Sequence, residues 1–431
     1  MTPQAALAAA ALFFCLLAIV LIPCAAAGLA MLNAGLGRSR NAAHAMLSAL
    51  CVLGVAAVAY SVIGCSLQGY PGREALSFAL NGKSWSWIGA GPFFFRGVSF
   101  EFGDNSPVSL AALLGVFTAG LAALIPLGSG ADRWRLGASC ASAALLAGIV
   151  FPVFGHWAWG GGFLAQLGVN YGLGKGFVDA GGSGAIQAVG GLAALSVTWV
   201  LGPRRGKYTA EHMPVAIPGH NAVFVLFGCL LAWLGWLGLN CAGALLHGAP
   251  FLRAPLIVVN TTLSAVCALL AAAAITRARF GKPDASLCAN GWVAGLVASS
   301  AACASVRPSA AMIIGLVAGG LVVFSVEWLE FRLAIDDPGG AVSVHALGGI
   351  WGVLAAGIFS SVPGQWLAQF VGVAALLGLV LPATYGLNWL LDRVYPQRVP
   401  PQGERQGLDL HELGAGAYPE FMSHNDDLWQ R

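Results

Sequence analysis

The chain has 431 residues, of which 58% are hydrophobic and only 9% are charged, and its formal net charge is +3. This composition excludes an ordinary soluble globule, and the dispersed basic residues give no sign of a nucleic-acid-binding patch. It predicts an all-α polytopic membrane protein.

Apolar runs long enough to cross a bilayer, roughly 17 to 25 residues each, follow one another along the chain. They lie at about residues 5–32, 42–66, 106–129, 136–154, 181–202, 221–247, 256–278, 286–304, 308–330, 340–360 and 365–392. The first run contains the small residues Cys24 to Ala27, which resemble a signal-peptide cleavage site, but no basic segment precedes it and the run continues to Leu32. We interpret it as the first span, with a removed signal peptide as the alternative. The sequence thus predicts eleven transmembrane helices.

The lysines and arginines predict the orientation in the membrane. Fifteen of the 21 lie in one set of loops together with the C-terminal segment, and the others, in the opposite loops, are Arg73, Lys83, Arg96, Lys175, Arg253 and Arg307. Basic residues are enriched on the cytoplasmic side of membrane proteins. We therefore expect the N-terminus outside, the C-terminus in the cytoplasm, and a location in the cytoplasmic (inner) membrane.

One motif occurs twice, as DAGGSGAIQAVGG from Asp179 and as DPGGAVSVHALGG from Asp337. The polar residue eight positions after the aspartate is Gln187 in the first copy and His345 in the second. By the span count the two copies run in opposite directions, so the chain is predicted to contain two inverted five-helix repeats, at about 5–202 and 221–360. The helix at about 365–392 lies outside this symmetry. Inverted repeats of transporters place their substrate site between the halves near the midplane, where we expect Gln187 and His345 to meet.

The remaining features predict little besides the membrane domain. We divide the chain into a transmembrane domain, residues 1–392, and a cytoplasmic tail, residues 393–431. The ten cysteines lack metal-ligand spacing and fall mostly in predicted spans, so we expect small core residues and neither a metal site nor a cofactor. No nucleophile and base, metal cluster or phosphate loop suggests an enzyme.

Several long segments resemble the ammonium transporter (Amt/Mep/Rh) family, and its Amt branch most closely. These segments are PGHNAVFVLFGCLLAWLGWLGLN from Pro218, VVNTTLSA from Val258, GKPDASLCANGWVAGLV from Gly281, DDPGGAVSVHALGGIWG from Asp336 and GLDLHELGAGAY from Gly407. The resemblance covers essentially the whole chain in order. It implies ammonium or ammonia as the substrate, a homotrimer with one path through each subunit, and a cytoplasmic tail that responds to PII-type regulatory proteins.

The resemblance also implies roles for individual residues. Trp159 matches the tryptophan that receives the cation at the outer mouth, where a ring face can hold a cation. Asp179 matches the buried acidic residue below it, for which we weigh helix capping against electrostatic help to the cation. Asp336 and Asp337, at the symmetric position, are expected to cap a helix. The tail residues in the family register are Gly407, Asp409, His411, Glu412 and Tyr418.

The chain departs from the family pattern along the expected pore. Gln187 stands where the family has the first of two pore histidines, and glutamine takes up no proton near neutral pH. Leu239 replaces the inner gate phenylalanine, and Gly243 replaces the vestibule serine; Trp236 is expected to line the pore beside them. The outer gate phenylalanine corresponds to Phe117 only after a one-residue alignment shift, and otherwise to Thr118.

These departures leave three hypotheses. The first is ammonium or ammonia transport with an altered Gln187/His345 relay. The second is a weakly conducting or non-conducting ammonium receptor that signals through its tail. The third is a channel for another small neutral solute, because losing the gate ring and the paired relay would suit an uncharged molecule.

Overall fold

The computed structural model describes residues 3–103 and 106–418, so the end of the predicted tail, residues 419–431, lies outside the described part. Each predicted span is a helix. Nine helices in the described part are long and apolar enough to cross a membrane, and two shorter apolar helices, at 285–299 and 342–358, complete the predicted series. In order they are α1 (Pro3–Leu36), α2 (Ser39–Gln68), α3 (Ser106–Gly130), α4 (Leu136–Ala158), α5 (Ser183–Leu201), α6 (Ala222–Leu246), α7 (Phe251–Phe280), α8 (Ala285–Ser299), α9 (Pro308–Leu333), α10 (Val342–Ile358) and α11 (Gln365–Val394). The helical membrane fold is confirmed.

A β-hairpin between α2 and α3 was not predicted. Strand β1 (Ala75–Leu80) pairs antiparallel with β2 (Lys83–Gly89). The turn between them is Asn81-Gly82, both with positive φ, which is the residue pair that a tight two-residue hairpin turn favours. The hairpin is held to the end of α4 by a 2.7 Å hydrogen bond from the Trp157 indole to the Trp87 carbonyl. We call this side of the membrane domain the hairpin side, and the opposite side, where the segment after α11 packs, the tail side.

Small residues let the helices approach each other closely. Along the α1–α6 contact, a Cβ at Gly28 would lie 2.4 Å from the Ala232 nitrogen, and one at Gly235 would lie 2.0 Å from the Ala25 nitrogen. The same kind of packing joins α7 to α9, where Gly315 and Gly319 lie against the α7 backbone. Membrane helices associate through such close packing because lipid supplies little hydrophobic driving force between them.

The two repeat copies form a crossing between α5 and α10. Both helices begin with a π-helical segment, Ser183–Ala188 and Val342–Leu347. A Cβ at Gly191 would lie 2.1 Å from the Ala346 nitrogen, and one at Gly349 would lie 2.5 Å from the Ser183 carbonyl oxygen. The paired glycines of each motif copy therefore let one helix rest directly on the backbone of the other.

Replacing Gly191 by alanine should separate α5 from α10, because the added methyl group meets backbone atoms that cannot rotate away. We expect Gly191→Ala to lower the free energy of unfolding by about 1–3 kcal/mol, as overpacking of a close contact does. The matched control is Gly54→Ala in α2, where an added Cβ meets nothing within 4 Å. Thermal unfolding of both purified variants in the same detergent measures the difference, and equal melting temperatures would contradict the crossing described here.

Candidate functional site

The crossing brings the two predicted polar residues into contact. His345 Nδ1 lies 2.7 Å from Gln187 Oε1, and both side chains are buried. The sequence separation is 158 residues, so only the packing of the two halves creates the pair. The expectation that Gln187 and His345 meet matches the structure.

The hydrogen bond fixes which atoms remain for a substrate. An amide oxygen accepts, so His345 Nδ1 donates, and in the neutral ring Nε2 is left as an acceptor. Gln187 Nε2 is buried and has no hydrogen-bond partner within the described residues. The pair thus offers amide N–H donors and one imidazole lone pair side by side.

An aspartate caps the helix that carries each member of the pair. Asp179 Oδ2 accepts hydrogen bonds from the Gly184 nitrogen at 3.0 Å and the Ala185 nitrogen at 2.7 Å. Asp337 accepts in the same way from the Ala341 and Val342 nitrogens, at 3.0 and 2.7 Å. The first N–H groups of a helix have no acceptor inside the helix, and a carboxylate oxygen can accept their hydrogen bonds. Both aspartates therefore have the geometry of helix caps.

The expectation that Asp336 also caps a helix was wrong. Its carboxylate instead accepts two hydrogen bonds of 3.0 Å from the Arg204 guanidinium, whose Nη1 donates to Asp132 Oδ2 at 3.0 Å. Burial acts to raise the pKa of Asp336, but the bonds from Arg204 and the charge of Arg133 hold it below its ordinary value. A buried arginine requires a carboxylate partner, and this requirement outweighs capping when a neighbouring aspartate already caps the helix.

A cavity of about 560 Å³ opens on the hairpin side. Its wall includes Tyr60, Gln68, Thr118, Trp159 and His247. Thr118, rather than Phe117, stands at the cavity wall, and Phe117 packs against the hydrophobic core from another face of α3. Of the two residues expected at the outer gate, only Thr118 lines this cavity.

Trp159 is held from two directions. Its indole nitrogen donates to the Asp179 carbonyl at 2.7 Å, and its ring stacks on His247 with centroids 4.6 Å apart and planes 12° apart. One ring face is therefore covered by the imidazole. His247 belongs to no recognisable sequence motif, although it lies one helical turn beyond Gly243, where the family serine is missing.

The other expected pore residues lie on α6. Trp236 and Leu239 are buried, and the Trp236 indole nitrogen has no partner in the described part of the chain. Gly243 faces the chain before α5, since a Cβ there would lie 2.6 Å from the Ala180 carbonyl oxygen. A small cavity of about 20 Å³ on the tail side is lined by His345, Asn33 and Asn290. His345 thus borders the tail-side space, while Trp159 and Thr118 border the hairpin-side cavity.

The tail residues attach to the tail-side ends of two helices. Asp409 accepts from the His44 nitrogen at 2.8 Å, at the beginning of α2. Glu412 accepts from the Leu136 nitrogen at 2.9 Å, at the beginning of α4, and contacts the His44 ring at 2.7 Å. Burial acts to raise the pKa of Glu412, but these contacts with His44 and Leu136 keep it below its ordinary value. Each carboxylate therefore acts as an external helix cap.

The other tail residues complete the contact. Gly407, at φ +102°, lies against Arg40, where a side chain would collide. The Tyr418 hydroxyl donates to His220 Nε2 at 3.0 Å, because His220 Nδ1 donates to the Gly37 carbonyl. His411 is exposed and packs on Gly403 within the tail. Across residues 3–103 and 106–418, no group of three or more histidine, cysteine or acidic side chains could hold a metal ion.

Comparison with known proteins gives consistent matches along the chain. A family model described as Ammonium Transporter Family matches residues 12–418. The chain is 36% identical over 424 residues to ammonium transporter Amt2 of Archaeoglobus fulgidus, a match that covers 93% of this chain and 86% of the relative. It is 35% identical over 408 residues to putative ammonium transporter sll1017 of Synechocystis, covering 93% and 87%. Among solved structures it superposes on a Sensor Amt Protein with a TM-score of 0.83 and 27% identity, covering 93% and 98%.

The Asp179 cap should be separable from its charge. Asp179→Ala leaves two buried N–H groups without a side-chain acceptor, so we expect a loss of about 1–3 kcal/mol in the free energy of unfolding. Asp179→Asn keeps an acceptor oxygen, and asparagine caps helices as well as aspartate does, so its loss should be much smaller. Thermal unfolding in detergent measures both variants. An asparagine variant as unstable as the alanine variant would show that the charge, rather than the cap, is needed.

Proposed function

Because the chain belongs to the ammonium transporter family, we propose that it moves ammonium or ammonia across the cytoplasmic membrane through a pore within each subunit. The path runs from the hairpin-side cavity, past the Gln187–His345 pair, to the small tail-side cavity. The observation that carries this proposal is the 2.7 Å contact between Gln187 and His345 at the crossing of the two repeats.

The pair suits a neutral substrate better than a cation. Ammonia has three N–H donors and one lone pair, so it can accept from Gln187 Nε2 and donate to His345 Nε2. The ammonium ion has no lone pair and can use only the acceptor, and an unpaired cation near the bilayer centre is costly. We therefore propose that the substrate passes the pair as ammonia. A proton that accompanies it takes a route other than a chain of two titratable rings.

The same proposal includes the orientation in the membrane, the oligomeric state and the role of the tail. The hairpin side is outside and the tail side is cytoplasmic, supported by the distribution of lysines and arginines. The functional unit is a homotrimer, as the family resemblance implies. The tail is a regulatory segment whose partner is a PII-type protein, supported by the way its carboxylates cap α2 and α4.

A second candidate function is ammonium sensing with little or no conduction. It is supported by the likeness to the Sensor Amt Protein and by the loss of a titratable group at position 187. In that case the pair holds ammonia without releasing it at a useful rate, and the tail reports occupancy.

The central pair is tested by measuring current and uptake together in proteoliposomes after an ammonium concentration jump. We expect measurable uptake by the unmodified protein and at least a tenfold loss in His345→Ala, because the acceptor is removed and Gln187 loses its partner. Gln187→His should retain uptake and increase the sustained current, since it adds a second group that can carry a proton. The control is Val223→Ala, whose side chain is 73% exposed on α6.

The outcomes separate the two candidate functions. No uptake and no current by the unmodified protein, together with calorimetric binding of ammonium, would favour the receptor. Uptake that is unchanged in His345→Ala would refute a role for the pair in either function.

The tail is tested by removing the residues beyond Pro400. We expect the membrane helices to remain folded, with a melting temperature close to that of the full chain, because they pack mainly on one another and the tail contacts chiefly the beginnings of α2 and α4. Uptake should change at least twofold, and binding of a PII-type protein from the same genome should be lost. Asp409→Ala should reproduce part of the effect, whereas His411→Ala, at an exposed position, should not. Unchanged uptake and unchanged PII binding would contradict a regulatory tail.

A further inference from the structure

His247 occupies a position at the hairpin-side cavity that no role assigned so far uses. It follows the last residue of α6 and lines the cavity, stacked on Trp159 with an interplanar angle of 12°. Its Nδ1 lies 3.1 Å from the Ala180 carbonyl oxygen. Since a carbonyl can only accept, Nδ1 donates, and Nε2 of the neutral ring is an acceptor. No protein partner of Nε2 is present in the described part of the chain.

The neighbouring Trp159, Thr118 and Tyr60 side chains also donate their hydrogen bonds to protein acceptors. Trp159 donates its indole N–H to the Asp179 carbonyl at 2.7 Å. The Thr118 hydroxyl donates to the Leu114 carbonyl at 2.9 Å, and the Tyr60 hydroxyl donates to Gln68 Oε1 at 2.9 Å. What these side chains present to the cavity is lone pairs and ring faces. Donors that remain in the wall include the Gln68 amide nitrogen, the Tyr70 hydroxyl and the guanidinium groups of Arg73 and Arg96.

We infer that His247 is a specificity-determining residue that accepts an N–H of the ammonium ion in the hairpin-side cavity. This inference rests on the proposed function and names the form in which the substrate is recruited. The ammonium ion is a donor in four directions and has no lone pair, so it matches a wall of acceptors and a ring face. An alkali cation has no N–H to donate and gains no hydrogen bond from Nε2.

Gly243 and His247 depend on each other. Because a Cβ at position 243 would approach the Ala180 carbonyl oxygen to 2.6 Å, only glycine lets that carbonyl lie against α6 as it does. The same carbonyl holds the His247 ring through Nδ1. Glycine at position 243 therefore permits the placement of the imidazole one turn later. The acceptor is then a ring nitrogen of His247 instead of a hydroxyl at position 243.

The test measures binding and transport separately at pH 8, where an imidazole is neutral. Calorimetry compares ammonium chloride with caesium chloride on the purified protein, and uptake into proteoliposomes gives KM and the maximal rate. His247→Phe retains an aromatic ring to stack on Trp159 and removes the acceptor. We expect its ammonium affinity to fall about tenfold or more with caesium affinity changed less than about threefold, and KM to rise in parallel with a nearly unchanged maximal rate, since one hydrogen bond to a charged group is lost.

Two further variants keep the test decisive. His247→Gln retains an acceptor oxygen and should lose less ammonium affinity than His247→Phe. Gly243→Ser adds a hydroxyl but displaces the Ala180 carbonyl, so it should weaken ammonium binding rather than strengthen it. Equal losses for ammonium and caesium would mean a purely structural role for His247, and unchanged ammonium affinity in a folded His247→Phe protein would overturn the inference. Binding without uptake by the unmodified protein would refute transport. The inference on His247 would then be decided by the ammonium and caesium affinities of the variants alone.

Discussion

Polar side chains deep inside a membrane domain need partners, and the crossing of α5 and α10 supplies them. Gln187 and His345 are far apart in sequence and both buried, and their 2.7 Å contact gives the Gln187 oxygen and the His345 Nδ1 a partner. That distance depends on Gly191 and Gly349, which let the two helices touch along their backbones. The aspartate caps then hold the beginnings of the same helices, so the motif repeats because each copy must perform the same structural task.

The two sides of the domain use carboxylates differently. On the hairpin side, Asp179 caps a helix and its backbone carbonyl orients Trp159 at the cavity. On the tail side, Asp132 and Asp336 neutralise Arg204, and Asp409 and Glu412 of the tail cap α2 and α4. The tail is thus bound through helix ends that would otherwise have N–H groups to satisfy, which ties its position to the packing of the first repeat.

The sequence predicted the helical series and the central pair because hydropathy and an internal repeat report directly on membrane helices and their symmetry. It left open what depends on which face of a helix is turned inward. Phe117 and Thr118 are adjacent, and only the packing of α3 decided that the threonine lines the cavity. His247 belongs to no motif, since its position at the cavity comes from stacking on a residue 88 positions earlier.

The hairpin had a local signal in Asn81-Gly82, but the apolar composition of the chain predicted helices alone. Asp336 differed from expectation because its partner, Arg204, lies 132 residues away.

The long separation within the central pair has a consequence for biosynthesis. At a synthesis rate of roughly 5 to 20 residues per second, the 158 residues between Gln187 and His345 take on the order of 10 to 30 seconds to appear. During that interval α5 has neither its polar partner nor the helix that covers its glycines, and Arg204 has no Asp336 to pair with. The first repeat is therefore inserted into the membrane before its packing partners have been synthesised. Its helices need protection from lipid, or from wrong partners in other chains, until the second repeat arrives.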